Sequence, residues 1–350
     1  MKFKVSELCS INEISLKTNH KLKYINYLDT SNLTEGKIDT IKLLYPNEDK
    51  IPSRAKRIVR HNDILYSTVR PVQKHYGFIK NPIDNLICST GFVVLSPNNK
   101  VDPYFLYKYL TQEKIISKLQ SIAETSTTTY PSIKPSDIGN LELKLPSLKE
   151  QQYVSNILYS LDYKIELNNK INNNLEELAQ TLYKHWFVDF EFPNEEGLPY
   201  KSSGGKMVES ELGLIPEGWE VKNLNSLVKQ YRIKSNPNEN EKLIDLANMP
   251  GYSLTLDSYD YGDKLKTNIY EMKKNNILYG SIRPYLGKFG IAPFDGLTTG
   301  TIHQFLPINN SEYSAVSTLV FSKEFNDFCI KLSYGTKMPV INWKQLGTYK

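Results

Sequence analysis

The sequence predicts an α+β chain in which two copies of one mainly-β domain are joined by a long coiled-coil-type helix. Three observations predict it. An ordered set of short segments recurs once along the chain. Each copy alternates apolar and polar residues in short runs, and the stretch between the copies carries a heptad seam. The expected boundaries are 1–147 for the first domain, 148–187 for the helix, 188–215 for a linker and 216–350 for the second domain. A chain of 350 residues holds two domains at roughly 150 residues each.

The repeat is explicit. Asp63-Ile64-Leu65-Tyr66-Ser67-Thr68-Val69-Arg70-Pro71 returns as Asn276-Ile277-Leu278-Tyr279-Gly280-Ser281-Ile282-Arg283-Pro284, and Tyr76-Gly77-Phe78-Ile79 returns as Phe289-Gly290-Ile291-Ala292. Further on, Thr90-Gly91 matches Thr299-Gly300 and Thr128-Thr129-Tyr130-Pro131-Ser132-Ile133 matches Thr336-Lys337-Met338-Pro339-Val340-Ile341. Ile138-Gly139 then falls on Leu346-Gly347. Runs such as Ile64 to Val69 and Gly91 to Leu95, punctuated by Gly, Pro and Asn, read as strands and turns. Pro103 to Gln120 departs from this, with apolar residues at helical spacing. The repeated Gly77/Gly290, Gly91/Gly300 and Pro131/Pro339 read as structural.

The central helix is expected from Leu148 to Trp186, opened by Pro146 and a capping Ser147, with no Gly or Pro inside. Its seam runs Val154, Leu158, Leu161, Ile165, Asn168, Asn172, Leu175, Ala179, Leu182 and Trp186. That is about five heptads, roughly 55 Å at 1.5 Å per residue. Such a seam calls for a partner helix, and Asn168 and Asn172 are polar positions that set register. The first copy continues through Leu141 to Pro146 into this helix, whereas the second reaches Gly347 and stops at Lys350. The expectation is therefore a second domain truncated at its C-terminal edge, without a distal helix.

Composition narrows the function classes. The net charge is +5 and the pI about 8.7, short of the value above about 9 that marks a strongly nucleic-acid-binding domain. Cys9, Cys88 and Cys329 are scattered without a CxxC pair, which argues against a disulfide framework or zinc ribbon. His185, beside Trp186 and Phe187, reads as a packed aromatic. The start lacks the apolar stretch of a secretory signal, and no run approaches about 18 apolar residues. A soluble cytoplasmic protein without membrane contact is expected. The 24 tyrosines fit a recognition surface, and equally a coding sequence rich in A·T pairs.

A search for chemistry finds no phosphate loop, dinucleotide fingerprint or nucleophile elbow. Asp137, Glu142 and Lys144 mimic the Asp…Glu-x-Lys set of metal-dependent nucleases, but Gln345 stands at the repeat position of Asp137. Neither a catalytic nor a metal-binding residue is expected. Between Ile51 and Lys80, seven Lys and Arg residues stand against one acid, Asp63. The candidate DNA-binding residues are Arg54, Arg57, Arg60, Arg70, Lys74 and Tyr76 in the first domain, with Arg283, Tyr285, Lys288, Lys337 and Lys344 in the second. The recurrent Arg70 and Arg283 either contact DNA or buttress a turn.

Taken in order, the Thr128–Ile133 segment, Leu145-Pro146-Ser147-Leu148-Lys149-Glu150-Gln151-Gln152, Trp186-Phe187-Val188-Asp189-Phe190 and Gly213-Leu214-Ile215-Pro216-Glu217-Gly218-Trp219 resemble the specificity subunits of type I restriction–modification systems. The resemblance spans the whole chain. It implies two target recognition domains, each reading one half of a split double-stranded DNA site, and a non-catalytic chain without a cofactor of its own. It also implies helices that set the spacing and dock methyltransferase subunits, with restriction subunits attached to that core. S-adenosylmethionine, ATP and Mg would belong to those partners. With no distal helix, the seam residues Val154, Leu158, Leu161, Ile165, Asn168, Asn172, Leu175 and Leu182 are expected to pair with the same helix of a second chain. The competing expectations are a metal-dependent nuclease using Asp137, Glu142 and Lys144, and a helix-mediated adaptor that does not bind DNA.

Overall fold

The computed structural model describes residues 2–17, 22–125, 131–235, 240–262 and 268–350. Thr128, Thr129 and Tyr130 of the repeated segment lie outside them. The chain divides into two units, Met1–Ile165 and Glu166–Lys350.

In the first unit, one antiparallel sheet orders its strands Cys9–Ile11, Phe92–Pro97, Asp63–Ser67 and Tyr76–Ile79. A second sheet orders Lys42–Leu44, Ile25–Leu28, Leu86–Ser89 and Ala55–Ile58, with its middle pair parallel. All five residues of Asp63–Ser67 are buried, which is why its sequence reads as an apolar run rather than a strict alternation. Helices α1 (Pro103–Leu110) and α2 (Glu113–Glu124) place Leu106, Leu110, Ile116 and Leu119 in one core with Ile64, Tyr66, Val93 and Leu95. Asp102 caps α1 by accepting from Phe105 N, and Pro103 occupies the first turn, where its missing N–H leaves no bond unmade. The helical spacing from Pro103 to Gln120 thus resolves into two helices, separated at Thr111 and Gln112. Short α3 (Pro135–Gly139) precedes strand Glu142–Lys144, which pairs with Lys2–Lys4.

The long helix α4 spans Leu148–Tyr183 and continues as a wider turn through Val188. Ser147 caps the helix as expected, and Glu150 completes the pair, Ser147 N donating to Glu150 Oε2 at 2.8 Å. Within the first unit, α4 buries Gln151 and Ser155, which bond Asp102, and sets Asp162 against Lys108 at 2.5 Å. Tyr159 meets Tyr104 edge to face and lies under the Lys80 ammonium.

The second unit repeats the first. Its sheets order Val228–Gln230, Ile302–Pro307, Ile277–Gly280, Phe289–Ile291, and Asp260–Tyr261, Lys242–Ile244, Gly296–Thr299, Ile269–Met272. The parallel pair recurs at the matching place, between Lys242–Ile244 and Gly296–Thr299. Helices α5 (Tyr313–Val320) and α6 (Lys323–Leu332) pack Val316, Val320, Phe325 and Cys329 on Ile277, Tyr279 and Phe305. A last short helix, α7, covers Trp343–Leu346. The repeated strand glycines are structural: a Cβ on Gly77 would come within 2.8 Å of Leu33, and one on Gly290 within 2.5 Å of Leu256. The stretch read as a linker is folded. Phe192 stacks between Tyr200 and Trp219, and Met207–Ser210 pairs with Gly213–Pro216.

Candidate nucleic-acid interface

The strongest local likeness between the units is the turn after the central strand. Arg70 (φ 45°, ψ 72°) and Arg283 (φ 51°, ψ 62°) are both left-handed, and each opens a single 3-10 turn at the following proline. The turns also close left-handed, at Lys74 and Gly287. Arg70 N donates to Pro131 O at 3.0 Å and Arg283 N to Pro339 O at 2.7 Å, so the Pro131/Pro339 match is reproduced in space. Beside these, Val69 bridges Ser132 and Ile282 bridges Val340. Further bonds hold each turn from its other side. In the first unit Glu35 N donates to Lys74 O, and in the second Tyr252 N donates to Gly287 O.

The remaining first-unit candidates scatter. Arg54 is exposed in the turn before Ala55–Ile58. Arg57 is half-buried on that strand, and its Nη1 donates to Ser15 Oγ at 3.2 Å. Arg60 pairs with Glu13 at 2.5 Å, which holds the Glu13 carboxyl below the usual carboxylate range. Asp63, the single acid of this run, accepts from Ser96 Oγ and Arg60 N, while burial pushes its carboxyl up.

Two candidates are not placed as surface contacts. Tyr76 is 6% exposed and stacks on Tyr66, because its strand pairs Tyr76 with Tyr66 and turns both rings toward α1 and α2. Lys74 lies between Glu35 at 3.1 Å and Glu113 at 3.5 Å, and Glu35 raises its affinity for the proton. Its charge is thus largely matched within the domain.

In the second unit Arg283, Tyr285, Lys337 and Lys344 are exposed. Lys288 is a buttress: its Nζ donates to Leu246 O at 2.9 Å and Met249 O at 2.6 Å. Sequence reasoning missed Tyr252, which is 64% exposed and donates its hydroxyl to Tyr285 O. The bridge between Gly251 and Lys288 brings it there, a pairing no local pattern announces. Tyr334, also missed, bridges Val340 and so joins the same edge as Ile282 and Arg283. Three loops therefore converge on one edge, carrying cations and exposed aromatic rings.

Nothing supports the nuclease alternative. Asp137 accepts from Lys134 N at 2.7 Å as the cap of α3, and Glu142 lies 4.0 Å from Lys2 on an exposed strand. Among the described residues no three metal-ligating side chains converge, and no helix is long and apolar enough to cross a membrane. On α4 the seam is bare. Val154, Leu161, Ile165, Leu175 and Leu182 are exposed, Ile165 to 60%; Asn168 is exposed, while Leu158 and Asn172 are half-buried. In the second unit residues that flank the seam engage the domain: Glu176 Oε1 accepts from Leu254 N, and Gln180 Nε2 donates to Thr318 O.

Comparison with known proteins agrees with this architecture. Residues 1–177 match the model of the type I restriction modification DNA specificity domain. The chain is similar to the HindI specificity subunit of Haemophilus influenzae, 35% identical over 210 residues, or 59% of this chain and 46% of the relative. It is likewise similar to the MjaIX specificity subunit of Methanocaldococcus jannaschii, 32% identical over 65% of this chain and 51% of the relative. The chain spans about half the length of these curated relatives. A crystal structure of a type I restriction-modification S subunit from M. genitalium superposes with a TM-score of 0.51 at 15% identity, over all of this chain and 83% of that one. With the duplicated domain, the intervening helix and a family match over its first half, the chain belongs to the type I restriction modification DNA specificity domain family.

Proposed function

We propose that the chain is the non-catalytic DNA-recognition subunit of a type I restriction–modification complex. Domains 1–147 and 216–350 each read one half of a bipartite double-stranded site, with 148–187 as spacer and 188–215 as connector. Helix α4 sets the gap between half-sites and docks methyltransferase subunits, to which restriction subunits attach. These act on DNA in the cytoplasm, and S-adenosylmethionine, ATP and Mg belong to them. The observation that carries the reading is the duplicated domain, with the same strand order and the same arginine turn in each copy. Two readers joined through one long helix suit a split site. The contacts to DNA come from Arg54, Arg57, Arg60, Arg70, Arg283, Tyr285, Lys337 and Lys344, all on or near the surface.

The bare seam of α4 supports self-pairing with the same helix of a second chain, since apolar residues at heptad spacing are stable only when covered. Co-expression with a type I methyltransferase subunit, followed by mapping of methyladenine across the host genome, tests the function. Two short defined halves around a fixed gap are expected, and a symmetrical motif if the chain acts as a two-fold dimer. An unsplit motif would remove the two-half reading, and DNA affinity indifferent to salt would remove the recognition role.

A further inference from the structure

Arginine occupies the left-handed position of both turns, where glycine would be free of strain. A non-glycine residue there costs stability and persists only where the surroundings over-determine it. Both surroundings do so. The amides of Arg70 and Arg283 are held by Pro131 O and Pro339 O, and the far ends of the turns are held by Glu35 N and Tyr252 N. Four positions on, the other left-handed residue is Lys74 in the first copy and Gly287 in the second, where a Cβ would come within 2.7 Å of the Tyr252 ring; that position varies with its surroundings while the arginine does not. Arg283 is exposed and Arg70 half-exposed, so neither strained backbone serves to bury its own side chain. The flanking residues differ between the copies: Val72 and Gln73 in one, Tyr285 and Leu286 in the other.

We infer that Arg70 and Arg283 are a matched pair of DNA-phosphate clamps, one per domain, which register each domain on the duplex and read no sequence. This rests on the proposed DNA-recognition role and assigns the chemistry of one position within it. A residue that is identical in two domains reading different half-sites carries no information that distinguishes them. Phosphate contacts position a protein on DNA, whereas base contacts specify the sequence. A guanidinium offers two parallel donors to a phosphate, and the fixed turn holds it at one height above the domain edge. Base reading is then left to the neighbours that vary between the copies, Tyr285 among them.

The test uses the full-length chain with Arg70→Gly, Arg283→Gly and the corresponding Lys variants. Binding is measured against a mixed-sequence duplex and a duplex carrying the mapped target, across a range of salt. Each Gly variant is expected to weaken both duplexes by the same factor and to reduce the log–log salt slope by about 1. Its melting temperature should equal or exceed that of the parent, because glycine relieves the left-handed strain. Each Lys variant should keep the parental slope. A loss confined to the target duplex would make the arginine a base reader and overturn the inference. So would a lower melting temperature with unchanged affinity, the signature of a mere buttress. If a Gly variant does not fold, Arg→Gln at the same position reads the charge alone, and an unchanged slope there overturns the inference. A parent chain that binds neither duplex overturns the recognition role itself, and the clamp with it.

Discussion

Tyr279 donates its hydroxyl to Asn326 Oδ1 at 2.8 Å inside the core of the second domain. Tyr66, at the matching position of the first domain, is 1% exposed, and its hydroxyl has no partner among the described residues. The residue of α2 that corresponds to Asn326 is the apolar Ile116, packed in the same core as Tyr66. Two copies of one fold have thus solved the same buried tyrosine differently. The first leaves a desolvated hydroxyl where the second completes a bond.

That difference predicts opposite responses to one substitution. Tyr66→Phe should stabilise the first domain by about 1 kcal/mol, since it removes an unpaired buried group. Tyr279→Phe should destabilise the second by about 1–3 kcal/mol, because Asn326 loses its donor. Urea unfolding followed separately for the two domains distinguishes them, and equal effects would show that the hydroxyls share one environment.

Lysines that look alike in sequence should separate in DNA binding. Lys288→Met removes two bonds to carbonyls, and should cost about 1–3 kcal/mol of second-domain stability with the salt slope unchanged. Lys337→Ala, on an exposed loop, should leave stability within about 0.5 kcal/mol and lower the slope by about 1. Paired melting and salt-titration curves decide, and a slope change for Lys288 would reverse its assignment.

The helix seam should control self-association and little else. Leu161 and Leu175 are 53% and 57% exposed, so Leu161→Glu with Leu175→Glu should leave each domain's stability within about 0.5 kcal/mol. The same pair should convert a dimer to a monomer in sedimentation velocity. A parent chain already monomeric at micromolar concentration would dismiss the two-fold pairing.

His303 makes the second domain sensitive to acid. The ring is 6% exposed, bonded to Gln230 and Ile341 O, and burial lowers its affinity for the proton from the ordinary 6.5. The unfolded chain therefore binds the proton first. Stability is fully present above pH 6.5 and is lost as pH falls from there toward the lower folded value. Melting temperature against pH should fall below pH 6.5 for the parent and flatten in that window for His303→Gln.

Much of this was legible locally. The repeat, the cap at Ser147, the unbroken helix and the arginine before each proline are written in runs of a few residues, whose spacing sets backbone geometry directly. The fate of individual cations was not. Lys74 meets Glu113, 39 positions away, and Lys288 reaches back to Leu246 and Met249 across a loop. Tyr76 sat among basic residues, yet strand pairing with Tyr66 turned it inward.

By itself the sequence determined that one β-rich domain occurs twice around a long amphipathic helix, because strand alternation, heptad spacing and caps are properties of neighbouring residues. Only the tertiary structure decided which charged side chains remain available, that the arginine of each turn is left-handed, and that the helix keeps its apolar seam bare while its other residues hold the domains. Those outcomes depend on contacts between residues far apart in the chain, whose pairing no local pattern encodes.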